Sequence, residues 1–224
     1  MATRKKALSL ERTPDRKRLE TGKVALDISM SLDGFIAGTN DGPANPLGDG
    51  GMSLHDWIWG KKPKRAGVAP GQTATGSNRE VFDELIRTTG AILTGRWTYD
   101  IVNGWGGSHP IHGVPIFVLS KDVPEKVPNG KSTFMFVTDG IESIVEQAKA
   151  AAGAKNVYVL GGANIAQQCL SSGLLDEMQI RLVPVLLGGG VRLFDHLGIG
   201  QIELKRTRVI DSPGVTHLKF RVIK

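Results

Sequence analysis

Short apolar β-forming runs alternate with amphipathic stretches along most of this 224-residue chain, and the alternation narrows the fold more than any other feature. Val24, Leu26, Ile28 and Met30 recur at period two, which predicts a half-buried first strand. Ala91–Thr94, Pro115–Leu119, Thr133–Val137 and Asn156–Leu160 read as further short strands. Between them, Asn78 is placed to cap a helix through Thr89, with Val81, Phe82, Leu85 and Ile86 on one stripe. Asp139, with Glu142 three residues on, predicts a capping-box start for a helix that carries Ile141, Ile144, Val145 and Ala148 and ends at Gly153. Residues 163–172 read as a short helix and Glu177–Val183 as a strand. Ile202–Asp211 and Val215–Val222 flank Ser212-Pro213-Gly214, which predicts a closing antiparallel hairpin. The expected architecture is one α/β domain over residues 23–224, with a central, mostly parallel sheet and an antiparallel C-terminal edge. Residues 38–76 are Gly- and Pro-rich and are expected to form a long lid-like loop.

The net charge of +6 invites a nucleic-acid reading, but its distribution argues against one. Residues 1–22 hold seven Lys and Arg against three Asp and Glu, and read as a disordered basic tail. Lys61, Lys62, Lys64 and Arg65 form one further block. These two segments account for more than the whole excess, so the rest of the chain is slightly acidic and no continuous phosphate-tracking face is implied. A nucleic-acid arm in the tail remains a minor alternative. The tail lacks an apolar core, so it is not a secretory signal, and no apolar run approaches the roughly 20 residues of a membrane span. The single cysteine, Cys169, rules out an intrachain disulfide and favours a reducing compartment, here the cytoplasm. His109 and His112 stand in a Pro- and Gly-rich loop with no Cys or acidic partner nearby, so no metal is expected.

Glycine, 29 residues, is about twice as frequent as usual and concentrates at strand ends. Gly95-Arg96-Trp97-Thr98 follows one strand. A helix start with a hydroxyl and an arginine suits a phosphate, although a plain strand-to-helix turn explains it equally. Val157–Leu160 runs into Gly161-Gly162-Ala163-Asn164 and then a helix, an arrangement that lets backbone approach a pyrophosphate or simply makes a tight turn. It is not the common Gly-x-Gly-x-x-Gly dinucleotide fingerprint. Ser31-Leu32-Asp33-Gly34-Phe35-Ile36-Ala37 follows the first strand, and its Asp-Gly can serve a turn and nothing more. Val183-Pro184-Val185-Leu186-Leu187-Gly188-Gly189-Gly190 ends another strand in a flexible loop or a close approach to ligand.

In this order and spacing the four elements resemble the dihydrofolate reductase superfamily. Within it they are most similar to the branch containing the reductase domain of the riboflavin-pathway deaminase–reductase and its stand-alone relatives. The resemblance covers residues 23–224 and implies a three-layer dihydrofolate-reductase-like fold, a homodimer and an NADPH-dependent reductase of a small heterocyclic or conjugated substrate. It implies that Gly95, Arg96 and Thr98 hold cofactor phosphates, with Arg96 near the adenosine 2′-phosphate. Ser120 and Lys121 follow the next strand and add contacts there. Gly161, Gly162, Ala163 and Asn164 line the pyrophosphate, and Ser29, Ala37 and Leu160 lie near the nicotinamide. On the substrate side, Asp27 and Asp56 are the candidate catalytic carboxylates; each also reads as an ordinary surface residue. Trp57 and Trp59 stack on a planar substrate or pack the loop against the body. The basic block at 61–65 is a candidate for meeting an anionic substrate, or a solvated loop. Other readings are an NADPH-binding module without turnover and, less favoured, a riboflavin-precursor or dihydrofolate reductase, since the chain carries no deaminase zinc motif and no secure acidic counterpart after the first loop.

Overall fold

A computed structural model describes residues 22–60, 74–195, 197–198 and 200–224. The tail at 1–21 and the basic block at 61–65 lie outside the described residues. An eight-stranded sheet forms the middle layer, in the order β5-β4-β3-β6-β1-β7-β10-β9. Its strands are β1 (Val24–Ser31), β3 (Thr89–Gly95), β4 (Ile116–Leu119), β5 (Phe134–Val137), β6 (Asn156–Val159), β7 (Glu177–Val183), β9 (Leu204–Ser212) and β10 (Val215–Val222). All pairings from β5 to β7 are parallel, and β10 pairs antiparallel with β7 and β9. Pro213 and Gly214, the latter at φ 79°, make the tight turn of that hairpin. A small second sheet pairs β2 (Phe35–Ala37) with β8 (Val191–Arg192).

Helices cover both faces. On one, α4 (Ile141–Ala152) and α5 (Ala163–Ser171) bury Ile144, Val145, Ala148, Ile165 and Cys169 against Leu26, Leu93 and Val159. On the other, α2 (Gly76–Thr88) sets Phe82 and Leu85 over Ala25, Ile92 and Tyr158. Each buried Ile, Leu, Val or Phe among them contributes roughly 1.5–3 kcal/mol, so the two layers lock the sheet between them.

Three sequence expectations change. The first strand is buried on both faces, not half-buried: it lies in the middle of a sheet with helices above and below. Asn78 does not cap α2, which begins at Gly76; its amide is turned inward, where its Oδ1 meets the buried His217 Nε2 at 2.8 Å. Asp139 lies outside α4. Gly140 at φ 98° turns the chain between strand and helix, and no side chain caps the helix.

Residues 38–60 are also more structured than a plain loop. Asp49 accepts hydrogen bonds from Thr39 (3.3 Å), Asn40 (2.6 Å) and Asn45 (3.0 Å). A short 3-10 turn, Gly51–His55, then leads into the four-residue α1 (Asp56–Trp59). Among the described residues no helix is long and apolar enough to cross a membrane.

Candidate active site

The carboxyl ends of β3, β4 and β6 and the middle of β1 open into one cleft of about 1540 Å³. Such a position, outside the strand ends of an open parallel sheet, is where the fold class leaves a crevice. One wall is built on glycine. Gly161 (φ 81°) and Gly162 (φ 84°) lie against Thr98: a Cβ on Gly161 would stand 2.8 Å from Thr98 Cγ2, and one on Gly162 3.1 Å from Thr98 Oγ1. Only glycine allows both the left-handed backbone and this approach. The pair therefore presents bare backbone at the head of α5, a nine-residue helix whose amino end favours anions.

Beside it, Arg96 opens α3 (Arg96–Ile101). Its Nε donates to both oxygens of Asp100 (2.8 and 2.9 Å), and a terminal nitrogen donates to Asp122 (2.5 Å) and Ser120 Oγ (3.1 Å). These bonds, Asp100 first, raise its already high pKa, and they fix the guanidinium in the cleft lining. Gly95, Ser120, Lys121, Leu160, Ala163 and Asn164 line the same space. α3 has only six residues, so any anion affinity here rests on the arginine side chain and not on a helix dipole.

Across the cleft lie Asp27, Ser29 and Ala37. Asp27 is buried, and Arg181 on β7, 2% exposed, engages both of its oxygens. Burial raises the Asp27 pKa while the Arg181 charge pulls it back down. Arg181 also donates to Gln179 Oε1 (2.9 Å), and Gln179 Nε2 donates to Tyr158 Oη (3.0 Å). Asp27 is thus the cleft end of a buried polar chain rather than a solvent-facing strand residue. Ser29 Oγ accepts from Trp57 Nε1 at 3.0 Å, and Trp57 meets the His217 ring edge-on at 5.0 Å. Burial, then the nearby Arg181 and Arg208, lower the His217 pKa to about 4, so it is neutral at physiological pH.

Not every candidate is brought here. Asp56, first residue of α1, is absent from the cleft lining. Trp57 is anchored on Ser29 and His217, and with α1 fixed that way Trp57, Ile58 and Trp59 border the cleft while Asp56 does not. Gly188–Gly190 serves a different approach from the one expected: a Cβ on Gly190 (φ 124°) would stand 2.1 Å from Ala37 O, so this loop packs on backbone of β2. Asp33, read as a turn residue, latches the two loops. Its carboxylate accepts from Ser31 Oγ (2.5 Å) and from the Gly188 (2.8 Å) and Leu187 (3.2 Å) amides, which holds its pKa down at about 2.

Sequence reasoning missed Arg181, Gln179 and His217. Gln179 and Arg181 alternate with apolar residues and so mimic a solvent-facing strand edge. The signal that places them inside is that β7 lies between β1 and β10, which is visible only in the assembled sheet.

Comparisons with known proteins agree with this geometry. The RibD C-terminal domain model matches residues 22–216. The uncharacterized protein YwjB of Bacillus subtilis is 25% identical over 187 residues, covering 83% of this chain and 91% of its own. A crystal structure from Shewanella sp. PV-4, named as a candidate riboflavin biosynthesis protein, is 24% identical with a TM-score of 0.66, covering 90% of this chain and 99% of that one. Dihydrofolate reductase from Enterococcus faecalis, complexed with NADP(H), shares 10% identity with a TM-score of 0.52 over 91% of this chain and 98% of its own. With the family match spanning nearly all the described fold, the chain belongs to the RibD C-terminal domain family.

Proposed function

We propose that the protein is an NADPH-dependent reductase of a small heterocyclic or conjugated substrate. The observation that carries this reading is the glycine wall: Gly161 and Gly162 pressed on Thr98, with Arg96 on the same rim and Asp27 opposite, in one cleft. The residues fit the cofactor. Bare backbone at the head of α5 suits a pyrophosphate, and Gly95, Arg96, Thr98, Ser120 and Lys121 suit the adenosine phosphates. Asp100 and Asp122 keep the Arg96 fork in place. Ser29, Ala37 and Leu160 would flank the nicotinamide. Bound NADPH would supply a hydride to a C=N, C=C or C=O carbon, and a proton from solvent would complete the reduction at the partner atom. Asp27 accepts an N–H of the substrate and holds it against the β1 floor, with Arg181 fixing the carboxylate.

Binding of NADPH and NADH to the wild type and to Arg96→Ala, followed by nucleotide fluorescence, tests the proposal. A charge-assisted bond of about 1.5–3 kcal/mol predicts a loss of tenfold or more for NADPH and little change for NADH. Equal loss for both removes Arg96 from the 2′-phosphate, and absence of NADPH binding to the wild type overturns the reductase reading.

A further inference from the structure

Arg96, Lys121 and Arg192 are the cations of the cleft lining among the described residues. Arg96 is engaged by two carboxylates, Asp100 and Asp122, so with Lys121 beside it the charges at that end cancel. Arg192 stands elsewhere, on β8. Its neighbour Val191 pairs with Ala37 of β2. From the other side Gln167 of α5 donates through Nε2 to the carbonyls of Arg192 (3.4 Å) and Leu193 (3.1 Å). Gly162 stands at the head of that same helix. Arg192 is thus held between the strand whose Ala37 would flank the nicotinamide and the helix whose bare backbone would face the pyrophosphate.

The contacts of its side chain are with neutral groups. The guanidinium lies over the Phe35 ring, 4.4 Å from the centroid, and a terminal nitrogen donates to the Asp33 carbonyl at 3.1 Å. Arginine N–H donors lie in one plane, so stacking occupies a face and leaves the edge for a bidentate acceptor. Arg96 and Arg181 are both paired with acids. Among the described residues no carboxylate pairs with Arg192, Asp195 of the same lining included. A dinucleotide laid from Arg96 to Ala37 carries a negative charge on each phosphate of its pyrophosphate, and burying these without a counter-charge is costly.

We infer that Arg192 is a second phosphate-binding arginine, which meets the nicotinamide-side phosphate of the cofactor edge-on while Phe35 holds its face. The inference rests on the proposed reductase reading and divides the cofactor between two arginines. Arg96 reads the 2′-phosphate that separates NADPH from NADH, and Arg192 grips what the two share.

The test is binding of NADPH and NADH to the full chain and to Arg192→Met and Arg192→Lys, followed by nucleotide fluorescence. Adenosine 2′,5′-bisphosphate, which lacks the nicotinamide-side phosphate, serves as a competitor. The position is exposed and methionine keeps an apolar chain over Phe35, so the variant stays folded by thermal melting. Arg192→Met is expected to weaken NADPH and NADH alike, about tenfold, and to leave the bisphosphate within about twofold of wild type. It is also expected to flatten the salt dependence of NADH binding between about 0.05 and 0.5 M NaCl, which a residue that only steadied Phe35 would not do. Arg192→Lys recovers part of the loss, because it returns the charge without the fork. Should Arg192→Met melt early, Arg192→Gln, which keeps an N–H for the Asp33 carbonyl, is read in the same way. Unchanged dinucleotide affinity in a folded variant, an equal loss for the bisphosphate, or an unaltered salt dependence overturns the role of Arg192 and leaves the reductase reading in place. A wild type that binds neither dinucleotide overturns that reading, and the role of Arg192 with it.

Discussion

Replacing Arg181 by methionine probes the buried charge at the floor of the cleft. Arg181 is 2% and Asp27 8% exposed, and the guanidinium engages both carboxylate oxygens. Methionine fills much of the arginine volume but leaves Asp27 buried without its partner and Gln179 Oε1 without its donor. Breaking such a pair costs about 3–5 kcal/mol, which is a third or more of the stability of many domains. The loss depends on pH. Burial already raises the Asp27 pKa, and without Arg181 it rises further. A carboxyl with a raised folded pKa takes up a proton on folding, so the variant is least impaired near pH 4 and loses stability as pH rises through the folded value. Urea unfolding at pH 4.5 and 7.5 measures both effects. Asp27→Asn with Arg181→Met should recover most of the loss at pH 7.5, because a neutral amide replaces the stranded charge. A single variant within about 1 kcal/mol of wild type at pH 7.5, or a gap that does not shrink in acid, refutes the argument.

Two other measurements address the site's construction. Gly161→Ala forces a Cβ to 2.8 Å from Thr98 Cγ2 at φ 81°, so it should cost about 1–3 kcal/mol and weaken NADPH; Gly161→Ala with Thr98→Ser should relieve the contact but not the backbone strain, and an Ala variant with wild-type melting and NADPH affinity would falsify the close approach. His109 and His217, lowered from 6.5 to about 4, stabilise the fold fully above pH 6.5 and lose that contribution as pH falls toward 4, roughly 3 kcal/mol each at most; urea midpoints that stay level between pH 7 and 4.5 contradict this.

The strands and helices were legible where one face of an element decided its pattern. β7 matches its predicted bounds, and the α4 stripe of Ile141, Ile144, Val145 and Ala148 is buried as its spacing requires. The turn at Gly161–Gly162 was legible too, because paired glycines between a strand and a helix mark a tight turn. What escaped was whatever depends on sheet order. Asp27 and Arg181 each look like an exposed polar residue on an alternating strand, and only the neighbouring of β1 and β7 makes them a buried pair. Trp105 lay among glycines in a stretch with no periodicity, and nothing local announces its left-handed backbone. Asp56 misled for the opposite reason: it sits next to Trp57 in sequence, yet the orientation of a four-residue helix is set by what its largest side chain packs on.

The Asp27–Arg181 pair also bears on how the chain folds. Its members are 154 residues apart, on the first and one of the last strands. Hydrophobic collapse of β1 onto β6 and β3 before β7 arrives would bury a carboxylate alone, and docking of β7 without β1 would bury a guanidinium alone. Each partial sheet therefore carries an electrostatic penalty that the complete one escapes. These penalties favour forming the centre of the sheet in one concerted step, an expectation that φ-values at β1 and β7 would check.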